Sequence, residues 1–595
     1  MQKQLIYIAV FAGFTTAVSA QKDDKDLGTE VVNVVKPYTP TLSDAFKVKE
    51  VPVIDDEETR AKETITYSIF SFPVASTFAP AKGKAAGVEA EQAEKTYKNY
   101  AALGFGNYAA VNGELYITEN VGETGFVSGN LSHVSQNADI KDTELDSKFM
   151  DTRFGVLYGN TAETFDYKVD LGFRNQRYNW YGLPDFFGTS LTETQRETLI
   201  SSIDPLQTYN EFELGGNLKT TSGIFNRGDA RFTRFWDAFG SAENRFVFKP
   251  ELSFDVAGVQ LNTAFKVDYL SATFENAFPS EFPVTVAPGS NENANVILNA
   301  SPSIKFAKDD FNVDLGVGIT YLAESKNRLS GLDLETKSRF FLFPKIRASY
   351  RIVGDLMIAY AGAEGELRQN SYRDLVNLNP FLSPTLSLRP TENPLNFYGG
   401  LKGKLASTVS FNVRGSYSVE DNRPFFVANS YDVMQGNEPY LYGNSFSVAY
   451  DKLKTLSFYG ELNADLSEAI RFGINGTFAT YNTDTLDEAY NLPEIQLAGT
   501  IDFKFSSKWS GGSKVFFVGE RTDIQADPEF ISIGDEKKTL DSFFDVNAYL
   551  KYDHNKQLGA FLRLNNIANQ SYQRWLNHPV TGFQVLLGAT YKFDF

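Results

Sequence analysis

Three histidines, His133, His554 and His578, are the only imidazoles in this chain of 595 residues, and cysteine is absent. Without thiols there are no disulfides, no zinc–thiolate sites and no thiol catalysis. The histidines stand far apart, one near a strand end, one in a tight turn and one in a loop. Each is therefore expected in solvent rather than at a shared metal. No Ser-His-Asp or Cys-His constellation is present, and no glycine-rich phosphate loop follows a strand and opens a helix. The residue types point away from an enzyme and call for no cofactor. Two acidic clusters, Asp139-Asp142-Glu144-Asp146 and Asp484-Asp487-Glu488, offer calcium chemistry. Neither has the glycine-turn spacing of a defined calcium loop, so both read as solvated loop.

The elements that carry these residues have a period of two. From Thr581 to the C-terminus, Phe583, Val585, Leu587, Ala589, Tyr591, Phe593 and Phe595 fall on one face, against Gln584, Gly588, Thr590, Lys592 and Asp594 on the other. Leu558, Ala560, Leu562 and Leu564 alternate with Gly559, Phe561, Arg563 and Asn565. In the middle of the chain Phe311, Val313, Leu315, Val317 and Ile319 alternate with Asn312, Asp314, Gly316 and Gly318. Such alternation makes a strand with one apolar face. Placing Asp314, Glu461 or Arg471 against lipid would cost on the order of a few kcal/mol each, so their phase assigns them to a lumen.

About 22 such strands occur between residues 98 and 595, and an even number returns both ends of the sheet to one side of a membrane. Short turns, as at Ala257-Gly258, Lys308-Asp309, Val353-Gly354, Ser506-Ser507 and His554-Asn555, alternate with long connections near 135–146, 177–205, 273–292, 323–336, 370–392, 421–451, 482–491, 521–538 and 567–580. That sorting predicts an all-β, transmembrane antiparallel barrel in an outer membrane, with short periplasmic turns and long exterior loops. Within 421–451, Ser445–Tyr450 could form a hairpin inside a loop. Thr192 to Asp204, with a capping threonine and alternating charges, predicts a short helix on an outer loop.

Before the barrel, Met1–Ala20 reads as a secretory signal, with Lys3, an apolar run from Leu5 to Phe14 and the small-residue site Val18-Ser19-Ala20. That run is too short to span a membrane, and no later apolar window reaches eighteen residues. Residues 21–97, with Pro37, Pro40 and Pro52 and an acidic run at Asp55–Glu58, predict a short, mostly irregular periplasmic extension that docks on something. Asp and Glu total 74 against 56 Lys and Arg, for a net charge of -18. This balance argues against nucleic acid. Fifty-one Phe and 30 Tyr, with only 4 Trp and 4 Met, suit strands and interfacial girdles.

The run Leu564-Asn565-Asn566-Ile567-Ala568-Asn569-Gln570-Ser571-Tyr572-Gln573-Arg574-Trp575, followed by Pro579, Gly582 and the final aromatic strand, resembles the C-terminal end of TonB-dependent receptors, in the style of the Bacteroidota. The resemblance covers roughly residues 98–595 and implies a 22-stranded outer-membrane barrel for solute uptake or passage. It also implies that Tyr591, Phe593 and Phe595 are the C-terminal signal presented to the barrel-assembly machinery. Glu63-Thr64-Ile65-Thr66-Tyr67 resembles the short box through which family members contact TonB. Family members place a globular plug before the barrel, whereas residues 21–97 lack a plug-like α/β pattern. An unfilled barrel of this size would leak, so the tail, the outer loops or a partner must occupy or cap it. The alternative to a receptor is a non-transporting scaffold of an outer-membrane complex, for biogenesis, export or surface assembly. In that case the tail docks a periplasmic partner and the loops a surface partner.

Overall fold

The computed structural model describes residues 96–276, 289–431, 437–525 and 536–595. Alternation of apolar and polar side chains commits most of them to strands, and the strands form one closed antiparallel sheet. Of its 23 members the two-residue Leu332–Asp333 only extends a turn, leaving 22 that cross the barrel. Closure is direct: the first strand, Asn99–Gly106, pairs with the last, Gln584–Phe593, from Asn99 opposite Phe593 to Gly106 opposite Leu586.

The two faces of this wall differ as the sequence phase requires. On the strand Ser338–Val353, Phe340 and Leu342 are 77% and 74% exposed while Phe341 and Phe343 are 8% and 2% exposed. The outward set also includes Leu103, Phe105, Phe154, Leu171, Phe458, Leu587 and Tyr591, a belt that only a lipid layer covers without penalty. Among the described residues no helix is long and apolar enough to cross a membrane. Inward, Glu461 accepts from Asn463 at 2.7 Å and Tyr459 at 3.0 Å, and Arg471 pairs with Asp465 at 3.4 Å. Phe561 also turns inward, beneath the Arg563 guanidinium at 5.1 Å. At the seam its ring lies over Gly588, where an added Cβ would overlap it.

Strand ends follow local chemistry. Ala257 and Gly258 both take positive φ, 53° and 79°, and reverse the chain in two residues. On the opposite end of the barrel the wall is uneven. Leu558–Asn565 has 8 residues, whereas Val409–Ala428 has 20 and Phe446–Ser467 has 22. A membrane needs only about 9–11 residues per strand, so the long strands rise well beyond it. This corrects two loop expectations. Residues 421–428 and 446–451 are wall, with Phe446 opposite Ala428, rather than a hairpin inside a loop. Likewise Phe311–Leu329 runs on to a tight turn at Ser330-Gly331. Asp421, Asn422 and Arg423 broke the alternation in the sequence because the ladder shifts register between Glu420 and Arg423.

Candidate functional site

The exterior connections do not splay into solvent. Apolar side chains from most of them meet in one core, and the organising segment is the connection between the strands Met357–Arg368 and Thr391–Ala406. It opens with α1, Tyr372–Leu378, capped by the Ser371 hydroxyl, which accepts from the Asp374 amide. Tyr372 and Leu382 are fully buried, and Leu375, Val376, Leu386 and Leu388 nearly so. No strand neighbour explains that burial, because the segment lies against wall strands far from its own position in the sheet.

Its bonds to the wall define a lid. Tyr372 packs its ring 5.1 Å from Phe235 and 5.0 Å from Phe274, and its hydroxyl donates to Asp237 Oδ2 at 2.8 Å. The Tyr372 amide donates to Glu243. Arg373 Nε donates to Glu211 at 2.7 Å, Arg245 holds Asp374 at 3.0 Å, and Arg174 donates to Asn377 at 2.8 Å. Further along, Tyr209 donates to the Pro380 carbonyl at 3.0 Å and Asn291 to the Thr385 carbonyl at 2.8 Å. Leu382 forms a parallel bridge with Phe446, whose amide donates to the Phe381 carbonyl at 3.0 Å. The lid is thus tied to strands from Phe165–Asn179 round to Asn291–Lys308, and again at Phe446–Ser467.

Other loops complete the seal. Trp180, Tyr181 and Phe187, from the connection that carries α2, Glu193–Ser202, are buried in the same core with Tyr440, Tyr442, Trp575 and Leu576. Tyr181 donates to the Pro579 carbonyl at 2.8 Å, and Asn444 donates to the Trp180 carbonyl at 2.8 Å. The exterior hairpin Arg521–Gln525 with Glu536–Leu540 joins through Gln525, which donates to the carbonyls of Asn429 at 3.0 Å and Gly443 at 2.9 Å. Asp523, in that hairpin, accepts from Asn491 at 2.8 Å, and burial lifts its carboxyl to about 7.

His578 was expected in solvent and is instead 1% exposed at the centre of this core. Its ring stacks on Phe381 with centroids 3.9 Å apart and stands against Tyr181 at 5.0 Å. Burial pushes its pKa down to about 4, so it is a neutral packing element. The other two sit elsewhere: His133 bonds Thr152 at 2.8 Å and Ser135 at 3.0 Å on the wall, and His554 occupies its turn 6.3 Å from the Tyr552 ring. Among the described residues no three or more His, Cys, Asp or Glu side chains group as metal ligands. The acidic clusters disperse into ion pairs, Asp146 with Lys148, Glu144 with Arg196 and Glu488 with Lys537. The helix expected after Thr192 is present with a capping box to Gln195.

At the other end, Tyr591 stacks on Phe593 at 5.6 Å and Phe593 meets Phe595 edge-on at 5.4 Å. Glu63, Thr64, Ile65, Thr66 and Tyr67, and the secretory signal, lie outside the described residues. Of the residues that matter most, Tyr372, Phe381 and Trp180 were not singled out in the sequence, and Trp575 was quoted only within the C-terminal motif. One signal was available: the exterior segment from Tyr372 to Leu388 is rich in leucine, and a loop with that much apolar surface must bury it somewhere.

No protein-family model matches the chain, and no curated protein matches it in sequence. Solved structures do match in fold. The pyoverdine outer membrane receptor FpvA from Pseudomonas aeruginosa, bound to pyoverdine, has a TM-score of 0.59 at 13% identity over 84% of this chain and 78% of that one. The iron transporter FrpB from Neisseria meningitidis gives 0.62 at 11% identity, over 84% and 82%. The ferric-catecholate import receptor Fiu from E. coli gives 0.60 at 11% identity, over the same shares. The barrel has the fold of the TonB-dependent outer-membrane receptors. Within this receptor fold the outward apolar belt makes the chain an outer-membrane barrel, with its long loops at the exterior end. The barrel wall carries the lid on lumen-facing side chains, Glu211, Asp237, Glu243 and Arg245.

Proposed function

We propose that this chain is an outer-membrane uptake barrel whose exterior loops form a gate for a solute entering from outside the cell. The observation that supports this reading is the lid, which covers the receptor-type lumen and is bonded to its inner wall. The Arg245–Asp374 pair is half-exposed only on its lid side, and because Arg245 keeps its Asp268 partner when the lid leaves, parting the pair costs only about 1 kcal/mol. The aromatic core is costlier to part, so the gate needs work rather than thermal motion to open. Residues 21–97 are the matching proposal for where that work enters, as a periplasmic segment with Glu63–Tyr67 contacting TonB. Tyr591, Phe593 and Phe595 serve assembly into the membrane. The solved neighbours named for pyoverdine, ferric catecholate and iron support uptake as the general activity.

The extent of the buried core favours one other reading, a permanent cap on a scaffold barrel that recruits periplasmic and surface partners. A lock distinguishes the two. Because Leu382 and Phe446 are bridge partners and the chain contains no cysteine, a Leu382→Cys, Phe446→Cys pair can tie lid to wall by one disulfide. The locked protein should lose its function in cells and regain it on reduction. Undiminished function when locked, with partners still co-purifying, would sink the gate and leave the scaffold. In planar bilayers, deletion of residues 371–388 should convert a sealed barrel into one with large, steady conductance.

A further inference from the structure

Beside the trailing edge of the lid lies a cavity of about 410 Å³, lined by the wall strands Asn291–Lys308 and Phe311–Leu329, the turn residues Leu334–Lys337 and the lid residues Leu388–Pro390. The wall is deformed there. Asn295 stands opposite Glu324 while Ala294 stands opposite Lys326, so Ser325 is one extra residue in the ladder. In a regular strand Glu324 and Asn327 would point to opposite faces. The bulge brings both to the cavity, facing Asn295 and Asn293. Asn293 also ties this floor to the gate, because its amide oxygen accepts from the Leu388 backbone at 3.0 Å.

Two features of the lining call for a ligand. Asn295 is 4% exposed, yet its side-chain oxygen has no hydrogen-bond donor among the described residues. Leaving such an atom unmet costs about 1–3 kcal/mol, which a donor on a bound molecule would recover. The charges are also incompletely matched. Lys337 and Glu335 have no ion-pair partner among the described residues, Arg389 rests only on the Tyr450 ring at 5.8 Å, and Arg339 reaches Glu392 only at 4.0 Å. Cations and carboxylates thus line the same cavity, with Leu322, Leu367 and Leu388 supplying an apolar surface between them.

We infer that this cavity binds a zwitterion of amino-acid to dipeptide size. Its ammonium meets Glu335, Glu324 and the Asn295 oxygen, its carboxylate meets Lys337 and Arg389, and its apolar side chain lies on the leucines. The volume holds about a dozen water-sized groups, which suits that size class. The inference rests on the uptake reading and names its substrate class. Binding next to Leu388 places the solute where the lid is bonded to the wall.

Equilibrium dialysis of the detergent-solubilised barrel with leucyl-leucine, its N-acetyl derivative and its C-terminal amide tests the site. The free dipeptide should bind saturably at millimolar concentration or below, and loss of either terminal charge should weaken it by about tenfold. Glu335→Gln should shrink the penalty for N-acetylation and leave that for amidation, and Arg389→Gln should do the reverse, matching each charge to its partner. Equal binding of all three ligands, or no saturable binding of any at millimolar concentration, would overturn the proposal. Lid movement is not needed for this measurement. A barrel that binds the dipeptide but never delivers it therefore counts against uptake alone.

Discussion

Replacing Tyr372 by alanine should release the lid. The side chain is fully buried, ringed by Tyr209, Phe235 and Phe274 at 6.2, 5.1 and 5.0 Å. Deleting a buried aromatic ring costs about 3–5 kcal/mol. Asp237 would lose the phenol but keep the amides of Phe239 at 2.8 Å and Ser241 at 2.9 Å, so that loss adds only about 1 kcal/mol. Together these weaken lid docking by about 4–6 kcal/mol, or roughly three to four powers of ten in the closed-to-open ratio. Tyr372→Phe keeps the ring and loses only the hydroxyl, which should shift the ratio by about tenfold or less. Trypsin reads the equilibrium directly at Arg373, because Arg389 in the same connection precedes Pro390 and resists cleavage. Cleavage there should accelerate in Tyr372→Ala far more than in Tyr372→Phe, while the wall stays intact and still migrates differently before and after boiling. If cleavage and bilayer conductance are unchanged in Tyr372→Ala while the barrel as a whole melts earlier, Tyr372 braces the wall and the lid assignment is wrong.

The exterior loops packed with the lid carry titratable groups that act in opposite senses, and Glu243, on the wall beneath the Tyr372 amide, acts with Asp523 because burial lifts its carboxyl to about 8. His578 falls from its ordinary 6.5 to about 4 in the folded lid, so between those values only the released loop binds the proton and docking weakens as pH falls. Asp523 rises from 3.8 to about 7, so in that window the docked lid holds the proton and docking weakens as pH rises. Relative to the parent barrel, His578→Phe should therefore lower open-state conductance most near pH 4–5, and Asp523→Asn should lower it most near pH 7; identical changes in the two variants would refute the assignment. At the seam, Gly588→Val should clash with both the Phe561 ring and the Leu103 carbonyl, cost at least about 1–3 kcal/mol and hinder barrel closure, seen as loss of the heat-shifted band that Phe561→Ala restores only in part. On the outward face Leu587, 63% exposed, lies against lipid, and Leu587→Arg should destabilise the membrane-inserted barrel by about 2–4 kcal/mol if near the bilayer midplane. In urea titrations of barrel in vesicles, an effect equal to that of Leu587→Gln would contradict the lipid-facing placement.

The sequence by itself determined the wall. A strand embedded between lipid and a wet lumen must alternate residue by residue, so Leu315 and Asp314, or Leu587 and Gly588, reveal their faces without any knowledge of their partners. Turn positions followed as well, since Ala257-Gly258 interrupts the alternation with a residue tolerant of positive φ. Where the ladder slips, at Ser325 and between Glu420 and Arg423, the period failed and residues of the wall passed for loop. The lid was decided only by the tertiary structure. Its residues have no periodicity, and Tyr372, Phe446 and His578 are far apart in the chain, so nothing local records that they share a core. Closing the sheet brings the exterior loops to one mouth, where covering their apolar side chains from water is favourable only if they pack on one another. That is why His578, polar in type and loop-borne by position, is buried against Phe381.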